Sequence, residues 1–145
     1  MSAAGEGLTE PYLNFHFLWE MKMQTSLVTR GKKERVIMPG EIVTVIVDRP
    51  MGTFHPNHPD LYYPVNYGYI PGTMASDGEE EDAYILGVDH PVSTFTGRII
   101  AVIHRQDDTE DKWVVAPEGA SFSEEEIRAA VHFQEQYFHT TIRLL

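Results

Sequence analysis

The sequence contains no cysteine and no long hydrophobic run, and each absence excludes a class of protein. Without cysteine, the 145-residue chain can form neither a disulfide nor a thiolate metal site. No apolar run approaches the roughly 18 residues of a membrane span. The first twenty residues carry three glutamates and lack the basic start of a secretory signal. No Walker A loop, GxGxxG or GxSxG motif occurs, so nucleotide-loop and serine-hydrolase functions have no support.

Basic residues are also scarce. The chain has 11 Lys and Arg against 22 Asp and Glu, a net charge of −11. This field repels nucleic acid and anionic membranes, so we expect neither as a partner. It also repels a small anionic substrate, unless metal ions reverse the sign of the charge inside the site. The 42% hydrophobic content and the length favour one ordinary globular domain.

Residues 1–37 differ from the rest and are predicted to be an N-terminal extension, followed by a barrel domain at 38–145. The extension is rich in aromatic residues and then holds five of the eleven basic residues, namely Lys22, Arg30, Lys32, Lys33 and Arg35. Three interpretations stay open: a disordered or loosely packed segment, an arm that pairs with the barrel or a neighbouring subunit, or a segment upstream of a domain that starts at Met38.

Short apolar stretches separated by turn residues predict a small β-protein. Residues 42–47 form a β-branched run, and further strands are predicted at 83–88, 97–104 and 112–116. Residues 62–70 are aromatic and extended, but Pro64 and Gly68 argue against a continuous central strand. Residues 55–60 have the composition of a loop. The spacing favours a small antiparallel barrel or a sandwich.

One helix is predicted after Ser123. Ser123 and Glu126 match a capping box, and two further glutamates lie near the positive end of the helix. Helical spacing then places one set of residues on a single face: Ile127, Ala130, Val131, Gln134, Tyr137 and Phe138.

Two acidic segments are the strongest chemical signal. Residues 77–82 place five carboxylates in six positions, and residues 107–111 form a second cluster before Lys112. Each precedes a predicted strand, which favours oxygen ligands for hard divalent cations over a solvated acidic loop. An EF-hand does not match, because the sixth position from Asp77 is Asp82 rather than glycine and the twelfth is Val88 rather than glutamate. His55 and His58 suggest zinc only weakly, since no partner motif follows.

The basic and phenolic residues near these segments each have two interpretations. Arg49 is either a surface cation at a strand end or a fork that binds phosphate. Lys112 is either an ion-pair partner of its acidic neighbours or a phosphate ligand. Tyr63, Tyr67 and Tyr69 are either packing residues or hydrogen-bond donors beside phosphate.

The order of these residues resembles the soluble family I inorganic pyrophosphatases. That family has the successive motifs D-R, Y-P-x-N-Y-G-Y-I and D-G-D-P-x-D. This chain has in the same order Val47-Asp48-Arg49, then Tyr-Pro-Val-Asn-Tyr-Gly-Tyr-Ile at 63–70, then Asp-Gly-Glu-Glu-Glu-Asp at 77–82. The acidic segment that ends at Lys112 and the helix segment 132–137 resemble its later motifs. The match covers about residues 42–138.

The resemblance implies an α+β, mainly β fold, a five-stranded OB-like closed barrel with flanking helices, including a C-terminal helix. It also implies a cytoplasmic homo-oligomer that hydrolyses pyrophosphate with Mg²⁺, for which Mn²⁺ or Co²⁺ can substitute. The implied metal ligands are Asp77, Asp82, Asp107 and Asp111, with Asp108 or Glu110 as alternatives in the shorter second segment. Glu79 is placed as the base that orients the attacking water. The residues implied to contact phosphate are Arg49, Lys112, Tyr67 and Tyr137. Of these, Arg49, Lys112 and Tyr67 are also implied to be catalytic.

The chain departs from the family pattern at several positions. Glu79 stands where the family has aspartate, and Phe138 stands where it has a lysine after the helix tyrosine. An early lysine and glutamate have only an uncertain counterpart in Lys32-Lys33-Glu34. These departures favour an alternative, a pyrophosphatase-like metal- or phosphate-binding protein with weak or altered phosphoanhydride hydrolysis. An OB-type module for single-stranded nucleic acid is a further rival, which the net charge opposes.

Overall fold

The strands form where β-branched and aromatic residues are concentrated. The computed structural model describes residues 36–107 and 110–145, so most of the predicted extension, and Asp108, lie outside the described residues. The elements follow in the order β1 (Ile42–Arg49), β2 (Phe54–His55), β3 (His58–Tyr62), β4 (Asn66–Ile70), β5 (Glu81–Ile85), β6 (Thr94–Arg105), β7 (Asp111–Ala116), α1 (Glu124–Glu135) and β8 (Thr140–Leu144).

Five of these strands close into a barrel. Antiparallel pairing joins β1 to β4, β4 to β5, β7 to β6 and β6 to β1, whereas β5 and β7 run parallel. The predicted five-stranded OB-like barrel with a C-terminal helix is confirmed, and the sandwich is excluded. The antiparallel prediction is wrong for one pair. Since β6 lies between β5 and β7 in sequence, the chain reverses twice and β7 returns in the direction of β5.

Two short pieces of sheet were not predicted. The stretch 55–60, predicted as a loop, contributes to a hairpin in which β2 pairs with β3. Its prolines are tolerated because both strands of a two-stranded ladder are edges. Strand β8 pairs with the second half of β6, while the first half of β6 pairs with β1.

Gly68 lies inside strand β4, although glycine argues against a central strand. A Cβ at this position would lie 1.9 Å from the carbonyl oxygen of Ile46. The absence of a side chain therefore lets β1 and β4 approach each other. Gly68, which argued against a central strand, is required by this close contact between the two strands.

Side-chain alternation divides the apolar residues into two cores. One core fills the barrel and includes Val45, Ile85 and Val115; the other lies between the barrel wall and α1 and includes Tyr84 and Val114. Neighbouring residues of β5 and β7 therefore face opposite sides of the wall. This alternation decides which polar residues at the ends of these strands can meet beneath the helix.

The helix begins at the predicted cap and covers the second core. The Ser123 hydroxyl accepts from the Glu126 amide, and the Glu126 carboxylate accepts from the Ser123 amide. The buried helical residues are Ile127, Val131, Gln134 and Glu135. The helix ends at Glu135, so Tyr137 and Phe138, predicted on its face, lie in the turn before β8. Two polar residues, Gln134 and Glu135, are thus buried at its end.

Candidate active site

A largely buried group of charged side chains lies at the end of α1, between the helix and the barrel wall. We call it the charged cluster and define it by Asp77, Asp82, Arg105, Glu110, Lys112 and Glu135. Asp82 and Lys112 are direct neighbours on parallel strands, so both side chains leave the same face of the wall. Arg105 follows Ala101 and Ile103, two residues of the core under the helix, at two-residue intervals.

Lys112 connects two carboxylates of the charged cluster. Its Nζ lies 2.6 Å from Asp82 Oδ2 and 2.9 Å from Glu110 Oε1, and the residue is only 3% exposed. Burial alone would lower the pKa of Lys112, but the Asp82 and Glu110 carboxylates outweigh it and raise that pKa above its ordinary value. The ammonium therefore stays charged at neutral pH.

Asp77 joins the cluster from the turn between β4 and β5. It is 2% exposed, and its Oδ1 accepts from the Glu79 amide at 3.0 Å, across Gly78 at a φ of 91°. Its carboxyl group also contacts Glu110. Burial would raise the pKa of Glu110, but the Lys112 charge, a hydrogen bond from Asp77 and the Arg105 charge together lower it well below its usual range.

The second acidic segment contributes Glu110 to this cluster, whereas Asp111 faces the other side of the wall. The two residues adjoin at the start of β7, and alternation separates their side chains. Asp111 Oδ1 lies 2.7 Å from His104 Nδ1. Burial and, to a smaller extent, the Asp111 charge raise the pKa of Glu81. Of the candidates that the sequence left open and the structure describes, Glu110 is the one that meets Asp77 and Lys112.

Asp107 lies in the turn after β6 and pairs with His139. Its Oδ1 accepts from the His139 amide at 3.0 Å and lies 3.2 Å from the ring Nδ1. No contact of the described residues links Asp107 or Asp111 to the Lys112 ion pairs. Their roles as metal ligands stay predictions.

The donor chemistry of the charged cluster suits a hard divalent cation, because Asp77, Asp82 and Glu110 offer carboxylate oxygens in a buried place. Within residues 36–107 and 110–145, however, no three acidic or histidine side chains are grouped as a metal site. The Lys112 ammonium instead lies between Asp82 and Glu110. A cation that binds Asp82 or Glu110 must therefore compete with Lys112.

Arg49 reaches the site from the end of β1, where a register shift precedes its pairing with Tyr67. Its Nη1 donates to the Asp48 carbonyl at 3.0 Å, and its side chain is 25% exposed. Arg49 also hydrogen-bonds Tyr63, whose pKa is raised chiefly by burial and, to a smaller extent, by the Asp48 and Asp82 charges. The guanidinium is thus held beside a buried tyrosine while part of it reaches solvent.

Tyr67 lies in the aromatic wall of the site. Its ring centroid is 4.9 Å from that of Tyr84 and 5.8 Å from that of Tyr63. Burial, followed by the Asp82 charge, raises the pKa of Tyr67 well above its ordinary value, so the phenol stays a hydrogen-bond donor. Tyr137 lies past the helix end, where its amide donates to the Gln134 carbonyl at 3.4 Å.

Glu79, the predicted base, follows Asp77 in the turn before β5. Its amide donates to Asp77, and its carbonyl accepts from the Ala75 amide at 2.6 Å. The backbone of this turn is therefore fixed next to the charged cluster, and the side chain is partly buried.

A buried hydrogen-bond network, which the sequence prediction missed, connects the hairpin, the helix and the barrel wall. Tyr63 Oη donates to Gln134 Oε1 at 2.7 Å, and Gln134 Nε2 donates to Tyr84 Oη at 2.7 Å. Tyr84 Oη donates to Glu135 Oε2 at 2.5 Å, and Glu135 binds Arg105. Because Tyr63 also holds Arg49, the network links the predicted phosphate ligand Arg49 to the charged cluster.

Arg105 and Glu135 belong to the charged cluster, but sequence reasoning did not select them. Glu135 follows the buried Val131 by four residues, a spacing that places it on the apolar face. That spacing was a usable signal for a buried glutamate. Arg105 had none, because it ends a strand, where charged residues are usually exposed.

Comparison with known proteins gives one consistent result. A family model described as inorganic pyrophosphatase matches residues 27–139. A curated relative from Pseudomonas syringae, inorganic pyrophosphatase 1, is 36% identical over 67 residues, which are 44% of this chain and 34% of the relative. An inorganic pyrophosphatase from Halobacterium salinarum is 29% identical over 93 residues, covering 61% of this chain and 49% of the relative.

The fold of a solved structure is also similar. The inorganic pyrophosphatase from Ehrlichia chaffeensis superposes with a TM-score of 0.58 at 20% identity, covering 78% of this chain and 92% of the other. This similarity concerns the fold alone. The chain spans between a third and a half of the length of these two curated relatives. In the described part of the chain, no helix has the length and apolar character needed to cross a membrane.

Proposed function

The chain belongs to the inorganic pyrophosphatase family, and from that premise we propose that it hydrolyses pyrophosphate to two phosphates with Mg²⁺ as cofactor. The observation that carries the proposal is the charged cluster itself. Asp77 and Asp82 come from one acidic motif and Lys112 from a segment 30 positions after Asp82, yet the three belong to one largely buried cluster beside Tyr67. We extend the metal-ligand set to Glu110, which contacts both Asp77 and Lys112.

The chain's own residues divide the work by charge and position. Arg49 and Lys112 hold the phosphate groups and stabilise charge that develops on the leaving oxygen. Tyr67 and Tyr137 donate hydrogen bonds to phosphate and help to exclude water. Glu79 accepts a proton from the attacking water, because its turn is fixed beside the ligands by the bond to Asp77. The Glu79 side chain is one methylene longer than that of aspartate, so its carboxylate reaches further than the family's aspartate at this position.

The metal would be held by Asp77, Asp82 and Glu110. Asp107, which pairs with His139, and Asp111, which lies on the other face of the wall, would serve as ligands only for a separate ion. When bound, Mg²⁺ supplies the positive charge that a protein of net charge −11 lacks and makes a nearby water more acidic. Lys112 would then leave one of its carboxylates, which frees the ammonium for phosphate. Mn²⁺ and Co²⁺ are proposed substitutes.

The cellular setting belongs to the same proposal. We propose a cytoplasmic homo-oligomer whose partner is pyrophosphate, with neither nucleic acid nor membrane as a ligand. The acidic net charge supports the exclusion of both polyanions.

A second candidate function is a metal- or phosphate-binding protein with weak or altered phosphoanhydride hydrolysis. One observation favours it: the Lys112 ammonium already neutralises Asp82 and Glu110, at 2.6 and 2.9 Å. If Lys112 keeps this place, metal affinity is low and turnover is slow.

The test is phosphate release from pyrophosphate with Mg²⁺, with Mn²⁺, with Co²⁺ and with EDTA. We expect metal-dependent release that Asp82→Asn abolishes. Asp89→Asn is the matched control, because Asp89 is exposed and its carboxylate pairs with His90 at 3.1 Å. Wild-type release no faster than that of Asp82→Asn with all three metals would reject the enzyme. Metal binding by calorimetry without release would then support the second candidate.

A further inference from the structure

Arg105 is a buried cation at the edge of the proposed site. It is 3% exposed, and its Nε and Nη2 donate to the two carboxylate oxygens of Glu135 at 3.0 and 2.7 Å. Its Nη1 lies 3.7 Å from Glu110 Oε1, the same oxygen that binds Lys112. The guanidinium also lies over the ring of Phe138, with its central carbon 3.8 Å from the ring centroid.

Phe138 occupies the position at which the resemblance expects a lysine, directly after Tyr137. Phenylalanine removes that ammonium, but its ring face attracts a cation. The cation that it receives is Arg105, which comes from strand β6 rather than from the helix side. A guanidinium, itself paired with Glu135, thus lies against position 138 where the resemblance expects an ammonium.

Stability alone does not require this arrangement. A buried arginine–glutamate pair is often no more stabilising than apolar side chains of similar volume, because both charges lose their water. The charges do have a consequence for the site. Without Arg105, Glu110 would lose the guanidinium that lies 3.7 Å from it, so the Lys112 ammonium could leave Glu110 for phosphate only at a larger cost.

We propose that Arg105, held by Glu135 and Phe138, supplies the positive charge that lets this site bind pyrophosphate without a lysine at position 138. The inference rests on the proposed function. Arg105 acts through its field and through Glu110, so it is a positioning residue rather than a catalytic one. It keeps Glu110 compensated when Lys112 turns towards phosphate.

The first test removes the pair without leaving a lone buried charge. In Arg105→Met/Glu135→Gln, both charges are lost together and the fold should persist, as checked by circular dichroism. We expect KM for pyrophosphate to rise about tenfold while kcat changes less than threefold. The matched control is Arg128→Met/Glu124→Gln, which removes an exposed pair of the same kind from α1 and should leave KM unchanged.

The second test returns a cation to position 138. Adding Phe138→Lys to the double variant should restore most of the lost affinity, whereas adding Phe138→Met, which removes the ring without a charge, should not. A KM in the double variant equal to that of wild type would show that Arg105 is only structural. Equal KM values in the two triple variants would likewise overturn the proposal.

A binding measurement separates this inference from the proposed function. Imidodiphosphate keeps the charge of pyrophosphate but has a bridging nitrogen in place of the oxygen that hydrolysis releases. Calorimetric affinity for it, measured with Mg²⁺, should fall about tenfold in the double variant and recover with Phe138→Lys. That result without phosphate release would reject the enzyme and retain Arg105. If wild type releases phosphate but the double variant binds imidodiphosphate as tightly as wild type, the enzyme is retained and the role of Arg105 is rejected.

Discussion

The buried Glu135 carboxylate gives the sharpest stability prediction. Glu135 is 5% exposed and accepts three hydrogen bonds, two from Arg105 and one from Tyr84. Glu135→Gln keeps the shape of the side chain but removes the charge that compensates Arg105. Among the described residues, Glu110 also lies near Arg105, at 3.7 Å, but it already binds Lys112. Breaking one side of a buried ion pair costs about 3–5 kcal/mol, so we expect a loss of that size.

The assay is urea unfolding followed by circular dichroism, with Glu124→Gln as the control. Glu124 also pairs with an arginine of the protein, Arg128 at 2.9 Å, but both side chains are about half exposed. An exposed pair of this kind contributes only about 0.3–0.5 kcal/mol. The two variants make the same chemical change on one helix, so their difference isolates burial.

The reasoning fails if Glu135→Gln loses less than about 1 kcal/mol, because the Arg105 charge would then be solvated rather than buried. A second variant checks the cause. Arg105→Met/Glu135→Gln should be more stable than Glu135→Gln alone, since no lone charge remains. If the double variant is less stable than the single one, packing of the guanidinium, and not its charge, accounts for the loss.

Two further predictions concern the barrel and the hairpin. Gly68→Ala should lower the free energy of unfolding in urea by about 3 kcal/mol or more, because the new Cβ would lie 1.9 Å from the Ile46 carbonyl oxygen. The control Gly52→Ala, in open space at a φ of 91°, should cost about 1 kcal/mol. Equal losses in the two variants would contradict a clash at Gly68. Burial, the Arg49 charge and the His58 charge lower the pKa of His55 to about 4. Only unfolded His55 therefore gains a proton between about pH 6.5 and 4, so over that window the free energy of unfolding of wild type should fall by about 2 kcal/mol more than that of His55→Gln. Equal losses in the two proteins would refute this prediction.

Much of the fold was readable because local rules and tertiary contacts agree. The β-branched run at 42–47 became β1, and Ser123 capped the helix as its partner Glu126 predicted. The helix end was misjudged because Tyr137 and Phe138 continue the apolar spacing, yet the chain must turn there to form β8. The β2–β3 hairpin was missed because its prolines suit a loop as well as an edge strand.

The site was readable only in part, for the same physical reason. Motif order indicated Asp77, Asp82 and Lys112, which the structure brings together. The choice of Glu110 over Asp111 depends on which face each leaves at the start of β7, and one residue of register reverses that choice. Arg105 depends on contacts with Glu135 and Phe138, about thirty residues further along the chain. No local pattern reports such a partner.

Strand β6 has a consequence for the order in which the molecule can assemble. It pairs with three other strands, with β7 along one edge and with β1 and β8 along the other. The β6–β7 and β4–β5 pairs are close in sequence and can form early, whereas barrel closure joins residues such as Thr44 and Thr96, which are 52 positions apart. Asp82 and Lys112, 30 positions apart, also meet late. We therefore expect loop closure to limit the folding rate of this chain, and the charged cluster to form only when β5 pairs with β7.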